Sequence, residues 1–75
     1  MNEKIYKLLS DEFPNIDFKN EKALVDDGVL DSIMITSIIA IITMEFGITI
    51  PYVEITEDNF NSIEEISAMV ERLSK

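Results

Sequence analysis

The sequence predicts an all-α fold, a small bundle of three long helices and one short helix, with a long loop between the first two helices. Two observations support this prediction. Three segments carry apolar residues that recur every three or four positions, which is the spacing of one face of a helix. Residues that start or stop helices stand at the ends of these segments, including Pro14, Gly47 and the run 62–65.

The first helix is predicted to start at Asn2, a favourable N-cap residue, and to stop before Pro14. Proline disfavours helical geometry at the residue that precedes it, so the helix is expected to end there. The apolar face of this helix is formed by Ile5, Leu8, Leu9 and Phe13. Residues 15–30 show no period and are predicted to form a long loop, held to the helices by its scattered apolar residues.

The central helix is predicted over residues 31–46, from Asp31 and Ser32 to a C-terminal stop at Gly47. One narrow apolar stripe is formed by Ile35, Ile38, Ile39, Ile42 and Phe46. Further apolar residues lie outside that stripe: Ile33, Met34, Ile41 and Met44. A small domain tolerates such a helix when the helix is central or when a partner covers its second face.

The rest of the chain is predicted to form an extended segment and two more helices. Residues 48–51 alternate and end in Pro51, which favours extended backbone. Thr56 is expected to cap a short helical turn over residues 57–60. Residues 62–65 have the pattern of a capping box ahead of the last helix. Its apolar face would comprise Ile66, Met69, Val70 and Leu73, with Arg72 and Lys75 at its negative end.

The composition limits the possible functions. A chain of 75 residues forms one domain, residues 1–75, and its 6 Lys and Arg against 15 Asp and Glu give a net charge of −9. That charge repels nucleic acid and anionic lipid and favours partners with basic patches. Histidine and cysteine are absent. We therefore expect no catalytic residue and none of the usual zinc ligands. The cluster Asp26, Asp27 and Asp31 could attract a divalent cation, but it lacks the pattern of an EF-hand loop, so we assign no metal site.

No apolar segment has the length of a signal peptide or of a membrane span, which takes about 20 residues. We therefore expect a cytoplasmic protein that does not insert into membranes. We also expect a monomer.

Ser32 is the side chain with the clearest chemical potential. A hydroxyl at the start of a helix is exposed, but the nearest lysine, Lys22, is ten residues away, so Ser32 is poorly equipped as the nucleophile of an enzyme. It is better placed to be modified by another enzyme. A phosphate attached there would face the free N–H groups of the helix. The alternative is that Ser32 or Asp31 is only an N-cap.

Three segments resemble the acyl carrier proteins: Gly28-Val29-Leu30-Asp31-Ser32-Ile33, Glu45-Phe46-Gly47-Ile48 and Ile50-Pro51. The resemblance extends from about residue 5 to residue 73. It implies an acyl-carrier-like helical bundle in which Ser32, directly after Asp31, receives 4′-phosphopantetheine from coenzyme A through a phosphodiester. The thiol of that arm would hold an acyl or aminoacyl group as a thioester. The implied partners are a phosphopantetheinyl transferase, a ligase that loads the acyl or aminoacyl group, and downstream acyl-transfer or condensing enzymes.

The sequence departs from the fatty-acid carriers in the central helix, where Glu45 is the only acid after Asp31. We therefore predict a docking surface that is apolar at its centre and acidic at its rim. The predicted centre comprises Ile33, Met34, Ile41 and Met44, and the rim Asp26, Asp27, Glu54, Glu57 and Asp58. The alternative is that the apolar residues pack inside the domain. The run 28–32 is more similar to stand-alone carriers of amino acids, such as the D-alanyl carrier protein, and to the carrier domains of peptide synthetases.

Two functions therefore remain open from the sequence. The first is a carrier of acyl or aminoacyl groups, with the pathway (fatty acid, polyketide, peptide or D-alanine transfer) undetermined. The second is an unmodified helical adaptor that binds a partner through the apolar face of its central helix.

Overall fold

The computed structural model describes residues 1–74 and confirms the all-α bundle of three long helices and one short helix. The long helices are α1 (Asn2–Glu12), α2 (Ser32–Phe46) and α4 (Ile63–Leu73), and the short helix is α3 (Glu57–Phe60). A 3₁₀ turn, Tyr52–Glu54, precedes α3 and was not predicted. Within residues 1–74 there is no strand and no helix long and apolar enough to cross a membrane.

One hydrophobic core joins all four helices and the long loop. α4 packs against α1 and α3, and α2 contributes Ile38 and Ile42, both fully buried. The other predicted stripe residues of α2 are partly buried against this core. Each fully buried isoleucine contributes about 1.5–3 kcal/mol of hydrophobic stabilisation. The buried core consists of Ile5, Leu9, Phe18, Leu24, Leu30, Ile38, Ile42, Ile50, Phe60, Ile63, Ile66, Met69 and Val70.

The long loop between α1 and α2 is held to the helices by its apolar residues, as the sequence predicts. Phe18, Leu24 and Leu30 are buried in the common core. Ile16, Val25 and Val29 are partly buried against it. The loop therefore forms part of the packed domain, and it delivers the chain to the start of α2 in a defined position.

Three helix ends agree with the sequence prediction. α1 stops at Glu12, directly before the residue that precedes Pro14. α2 ends at Gly47, whose φ of 64° is left-handed, a conformation that glycine adopts without strain. α4 starts after Ser62, whose Oγ accepts the backbone N–H of Glu65 at 3.2 Å. The Ser62 hydroxyl also donates to the Glu65 carboxylate at 3.2 Å, so the two side chains of the predicted capping box contact each other.

Two other caps differ from the prediction. Asn2 is not the N-cap of α1, because the backbone N–H of Ile5 donates to the carbonyl of Met1 at 3.1 Å and the helix closes one residue earlier. Asn2 therefore lies inside the helix. Thr56 occupies the N-cap position of α3, but its side chain makes no capping hydrogen bond. Arg72 lies in the last turn of α4 as predicted, and Lys75 lies outside the described residues.

Ser67 on α4 has a buried hydroxyl without a hydrogen-bond partner within residues 1–74. The residue is only 2% exposed, so this oxygen has lost its hydration without compensation. We expect Ser67→Ala to raise the free energy of unfolding by about 1 kcal/mol, because the variant removes the unpaired group and favours the helix. Urea unfolding measures the change. A loss of stability would mean that the hydroxyl is hydrogen-bonded in solution.

An ion pair between Lys22 and Glu64 links the long loop to the first turn of α4. Lys22 Nζ donates to both oxygens of the Glu64 carboxylate, at 2.9 and 2.7 Å. The hydrogen bond from Lys22 is the main reason that the pKa of Glu64 lies below its ordinary value of 4.5, and the backbone N–H of Glu64 adds to the effect. Both side chains are more than half exposed, so solvent screens the pair and its contribution to stability is small.

This ion pair gives a pH-dependent prediction. A carboxyl whose pKa is lowered by folding stabilises the folded state above its unfolded pKa, and this stabilisation is lost as the pH falls through the folded pKa. We therefore expect Lys22→Gln to lower stability by a few tenths of a kcal/mol at pH 7. The difference should begin to fall as the pH drops below 4.5 and should vanish once the pH has passed the lowered pKa of Glu64. Urea unfolding at several pH values measures it, with Lys19→Gln as the control. A difference that stays the same at every pH at which the domain is folded would contradict this account.

Candidate functional site

The start of α2 places one hydroxyl at the surface of the domain. Ser32 is the first residue of α2 and Asp31 is its N-cap, with extended backbone at φ −100° and ψ 179°. The Asp31 Oδ1 accepts the backbone N–H of Met34 at 2.9 Å. Both cap-type residues are exposed, but Asp31 makes the capping hydrogen bond. The Ser32 hydroxyl is therefore not needed to cap the N-terminus of α2.

The backbone around Ser32 suits a covalently attached phosphate. The first N–H groups of an α-helix have no partner within the helix, and the helix dipole makes this end positive. A phosphate on the Ser32 oxygen would lie beside these groups, an arrangement found at many phosphate sites. Residues 31–33 are all exposed, so the hydroxyl is open to another protein. The site fits a phosphodiester-linked group.

The loop before α2 holds the start of this helix in place, because Leu30 is buried in the core and the next residues are exposed. A turn is closed by the backbone N–H of Asp27, which donates to the carbonyl of Ala23 at 2.7 Å, and Gly28 follows with a φ of 75°. The N–H of Leu30 then donates to the carbonyl of Leu24 at 2.9 Å, and its side chain is 3% exposed. Leu30 therefore anchors the chain in the core directly before the exposed residues 31–33.

Asn61 is a positioning residue that the sequence analysis did not find. Its Oδ1 accepts the backbone N–H groups of Val25 and Asp26, at 2.9 and 3.1 Å. Its backbone carbonyl accepts the N–H of Leu24 at 2.8 Å. Asn61 lies between α3 and α4 and is 7% exposed, so it binds the long loop from inside the domain. No local signal marks it, since its partners lie more than 30 residues earlier in the chain.

The four apolar residues predicted at the docking centre divide into two pairs. Ile33 and Met44 are exposed, at 77% and 86%. Met34 and Ile41 are half-buried and pack against the core. Met34 and Ile41 therefore pack partly inside the domain, as the alternative expects. The exposed apolar surface of α2 is concentrated in Ile33 and Met44.

The predicted acidic rim also divides. Asp26, Asp27, Glu57 and Asp58 are exposed. Glu54 is half-buried, forms an ion pair with Arg72 and accepts a hydrogen bond from the Asn59 side chain at 3.1 Å. Its charge is therefore partly neutralised inside the domain. Among residues 1–74 no group of three or more Asp, Glu, His or Cys side chains is arranged to hold a metal ion.

An open cavity of about 420 Å³ lies between the loop, α2 and the segment that leads into α3. Its lining comprises Val25, Ile35, Ile55, Thr56, Glu57 and Asp58. Ile35 is three residues after Ser32, which is slightly less than one helical turn. The segment 55–58 therefore returns to the end of α2 at which Ser32 lies.

A family model described as a phosphopantetheine attachment site matches residues 3–70 of the chain. The chain belongs to this family. The resemblance to the acyl carrier proteins is thereby confirmed, and the small helical bundle agrees with it. Domains of this family are sites of covalent 4′-phosphopantetheine attachment and act as non-catalytic carriers. They work with a phosphopantetheinyl transferase and with biosynthetic enzymes. Neither a curated protein nor a solved structure gives a significant match to this carrier domain.

Proposed function

We propose that the chain is a carrier protein whose Ser32 hydroxyl holds the 4′-phosphopantetheine arm, and that the thiol of this arm carries an acyl or aminoacyl group as a thioester. The observation that supports Ser32 is the division of roles at the start of α2. Asp31 caps the helix, with Oδ1 at 2.9 Å from the N–H of Met34. The neighbouring hydroxyl of Ser32 is thus exposed and free of a capping role.

The attachment reaction needs an enzyme to activate Ser32. The Ser32 oxygen would form a bond to the phosphorus next to the pantetheine in coenzyme A, and the bond from that phosphorus to the nucleotide would break. The chain contains no histidine to take the serine proton, and the proposal assigns the base to the phosphopantetheinyl transferase. What the chain supplies is an accessible oxygen and a positive helix end for the phosphate.

The whole chain, residues 1–75, is proposed to be one carrier domain without catalytic activity. A loading ligase and downstream acyl-transfer or condensing enzymes would act on the arm. The cargo stays open between acyl and aminoacyl groups, and the similarity of residues 28–32 to stand-alone amino-acid carriers favours the latter.

A monomer is expected because two copies, each with a charge of −9, repel each other. The cytoplasmic location stays a prediction.

The direct test is incubation with coenzyme A, magnesium and a transferase of broad carrier specificity, followed by intact-mass measurement. The proposal expects a gain of one phosphopantetheinyl group, located at Ser32 by peptide mass spectrometry. A chain that stays unmodified would favour the adaptor function instead. The observation that would support the adaptor is the pair of exposed apolar side chains on α2, Ile33 and Met44.

Partner docking is proposed to use the apolar centre, above all Ile33 and Met44, within the acidic rim. Met44→Glu is expected to leave thermal stability unchanged, because the side chain is 86% exposed, and to slow modification by the transferase. Met34→Glu should likewise slow modification, but unlike Met44→Glu it should lower the free energy of unfolding by about 1–2 kcal/mol, because Met34 packs against the core. Thermal unfolding and initial transfer rates measure both effects. Unchanged rates for Met44→Glu would remove Met44 from the docking surface.

A further inference from the structure

The 3₁₀ turn before α3 exposes two apolar side chains that the docking prediction did not include. Tyr52 is 86% exposed and Val53 is 77% exposed. These fractions equal those of Met44 and Ile33 on α2, and within residues 1–74 the next most exposed large apolar side chain, Met1, is only 44% exposed. Single exposed apolar side chains are ordinary at a protein surface, whereas contiguous ones mark interaction sites.

The backbone of this turn is held on both sides, so the exposure of its side chains is built into the fold. Ile50, just before the turn, is 8% exposed and anchors it in the core. The N–H of Glu54 donates to the carbonyl of Pro51 at 2.9 Å, and the side chain of Asn59 donates to the carbonyl of Glu54 at 2.7 Å. The Glu54 carboxylate pairs with Arg72 of α4.

A turn fixed in this way presents Tyr52 and Val53 to a partner with little loss of conformational entropy on binding. Tyrosine is also enriched among the residues that contribute most to protein–protein binding.

The turn leads directly into the segment 55–58, which lies beside the first turns of α2. Two residues after Val53, Ile55 lines the 420 Å³ cavity together with Ile35 of α2. Two residues of chain span at most about 7 Å. A standard protein interface covers about 800 Å² of each partner, a patch about 30 Å wide. One partner that reaches Ser32 can therefore also cover Tyr52 and Val53.

The charges near the turn identify the kind of partner. Glu57 and Asp58 are exposed in the next segment, and each copy of the chain carries a charge of −9. A second copy would bring like charges together, which disfavours self-association. The surface instead fits a partner with an apolar pocket bordered by lysine or arginine side chains.

We infer that Tyr52 and Val53 are a docking contact for the phosphopantetheinyl transferase, the enzyme that must approach Ser32 first. This inference rests on the proposed function, because it requires that Ser32 is the residue modified. It adds two residues that neither the apolar face of α2 nor the acidic rim contains.

The test compares the wild-type chain with the double variant Tyr52→Ser/Val53→Ser in steady-state transfer from coenzyme A by a transferase of broad carrier specificity. We expect kcat/KM to fall about tenfold or more, mainly through a higher KM for the carrier, because uniform binding is lost. Thermal stability should stay unchanged, since both side chains are exposed. Tyr6→Ser is the matched control, because Tyr6 is 40% exposed on α1 and lines a different cavity with Lys19 and Glu64.

Three results would decide the inference. A fall in kcat/KM for the double variant, with Tyr6→Ser at the wild-type value, supports it. A double variant within about twofold of the wild type, while the wild type is modified at Ser32, overturns the docking contact and leaves the carrier function intact. A wild-type chain that no transferase modifies overturns the proposed function itself, and the inference with it.

Discussion

Ser32→Ala is expected to abolish the mass gain on incubation with coenzyme A and the transferase, while the wild-type chain gains one phosphopantetheinyl group. Alanine has no oxygen to form the phosphodiester, so the loss should be complete rather than partial. Intact-mass measurement over a time course that fully converts the wild type is sufficient. Ser37→Ala on the same helix is the control and should be converted fully.

Stability measurements on the same variant separate attachment from capping. If Ser32 were the N-cap, its replacement by alanine would cost about 1 kcal/mol. Because Asp31 makes the capping hydrogen bond, we expect Ser32→Ala to change stability by less than about 0.5 kcal/mol. Asp31→Ala should instead cost about 1 kcal/mol. If Ser32→Ala keeps the stability of the wild type but is not modified, the Ser32 hydroxyl serves as the attachment site and not as a helix cap. A modified Ser32→Ala chain would refute the assignment.

The comparison of sequence and structure at this helix start shows what a sequence pattern determines. The apolar stripe and Gly47 were sufficient to place α2, because periodicity and a left-handed cap are local properties. Aspartate and serine are both good caps, however, so residue type alone does not say which one is the N-cap. The extended backbone at residue 31 decides between them.

Contacts between residues far apart in the chain could not be predicted from the sequence either. The helical pattern shows that α2 is apolar on two sides, but the exposure of Met44 and the partial burial of Met34 depend on which elements pack against the helix. The 3₁₀ turn at Tyr52–Glu54 is held by the side chains of Asn59 and Arg72, which the local sequence does not relate to it. Asn61 contacts a loop more than 30 residues away.

Asn61→Leu is expected to destabilise the domain more than any surface substitution considered above. Leucine has a similar size but cannot accept the N–H groups of Val25 and Asp26, which Asn61 Oδ1 accepts at 2.9 and 3.1 Å. Each N–H left without a partner away from water costs about 1–3 kcal/mol. We expect a total loss of about 2–4 kcal/mol, since both groups are only partly buried.

For a domain of this size that loss corresponds to a melting temperature lower by roughly 8–32 °C. Differential scanning calorimetry measures it, and Asn20→Ala is the matched control. Asn20 lies in the long loop that Asn61 contacts, but it is exposed and its hydrogen bonds go to Asp17, so its replacement should change the melting temperature by only about 2–4 °C or less. Equal effects of the two variants would show that Asn61 does not hold the loop. If Asn61→Leu is folded at low temperature, its transfer rate should also be reduced, because the same loop positions residues 31–33.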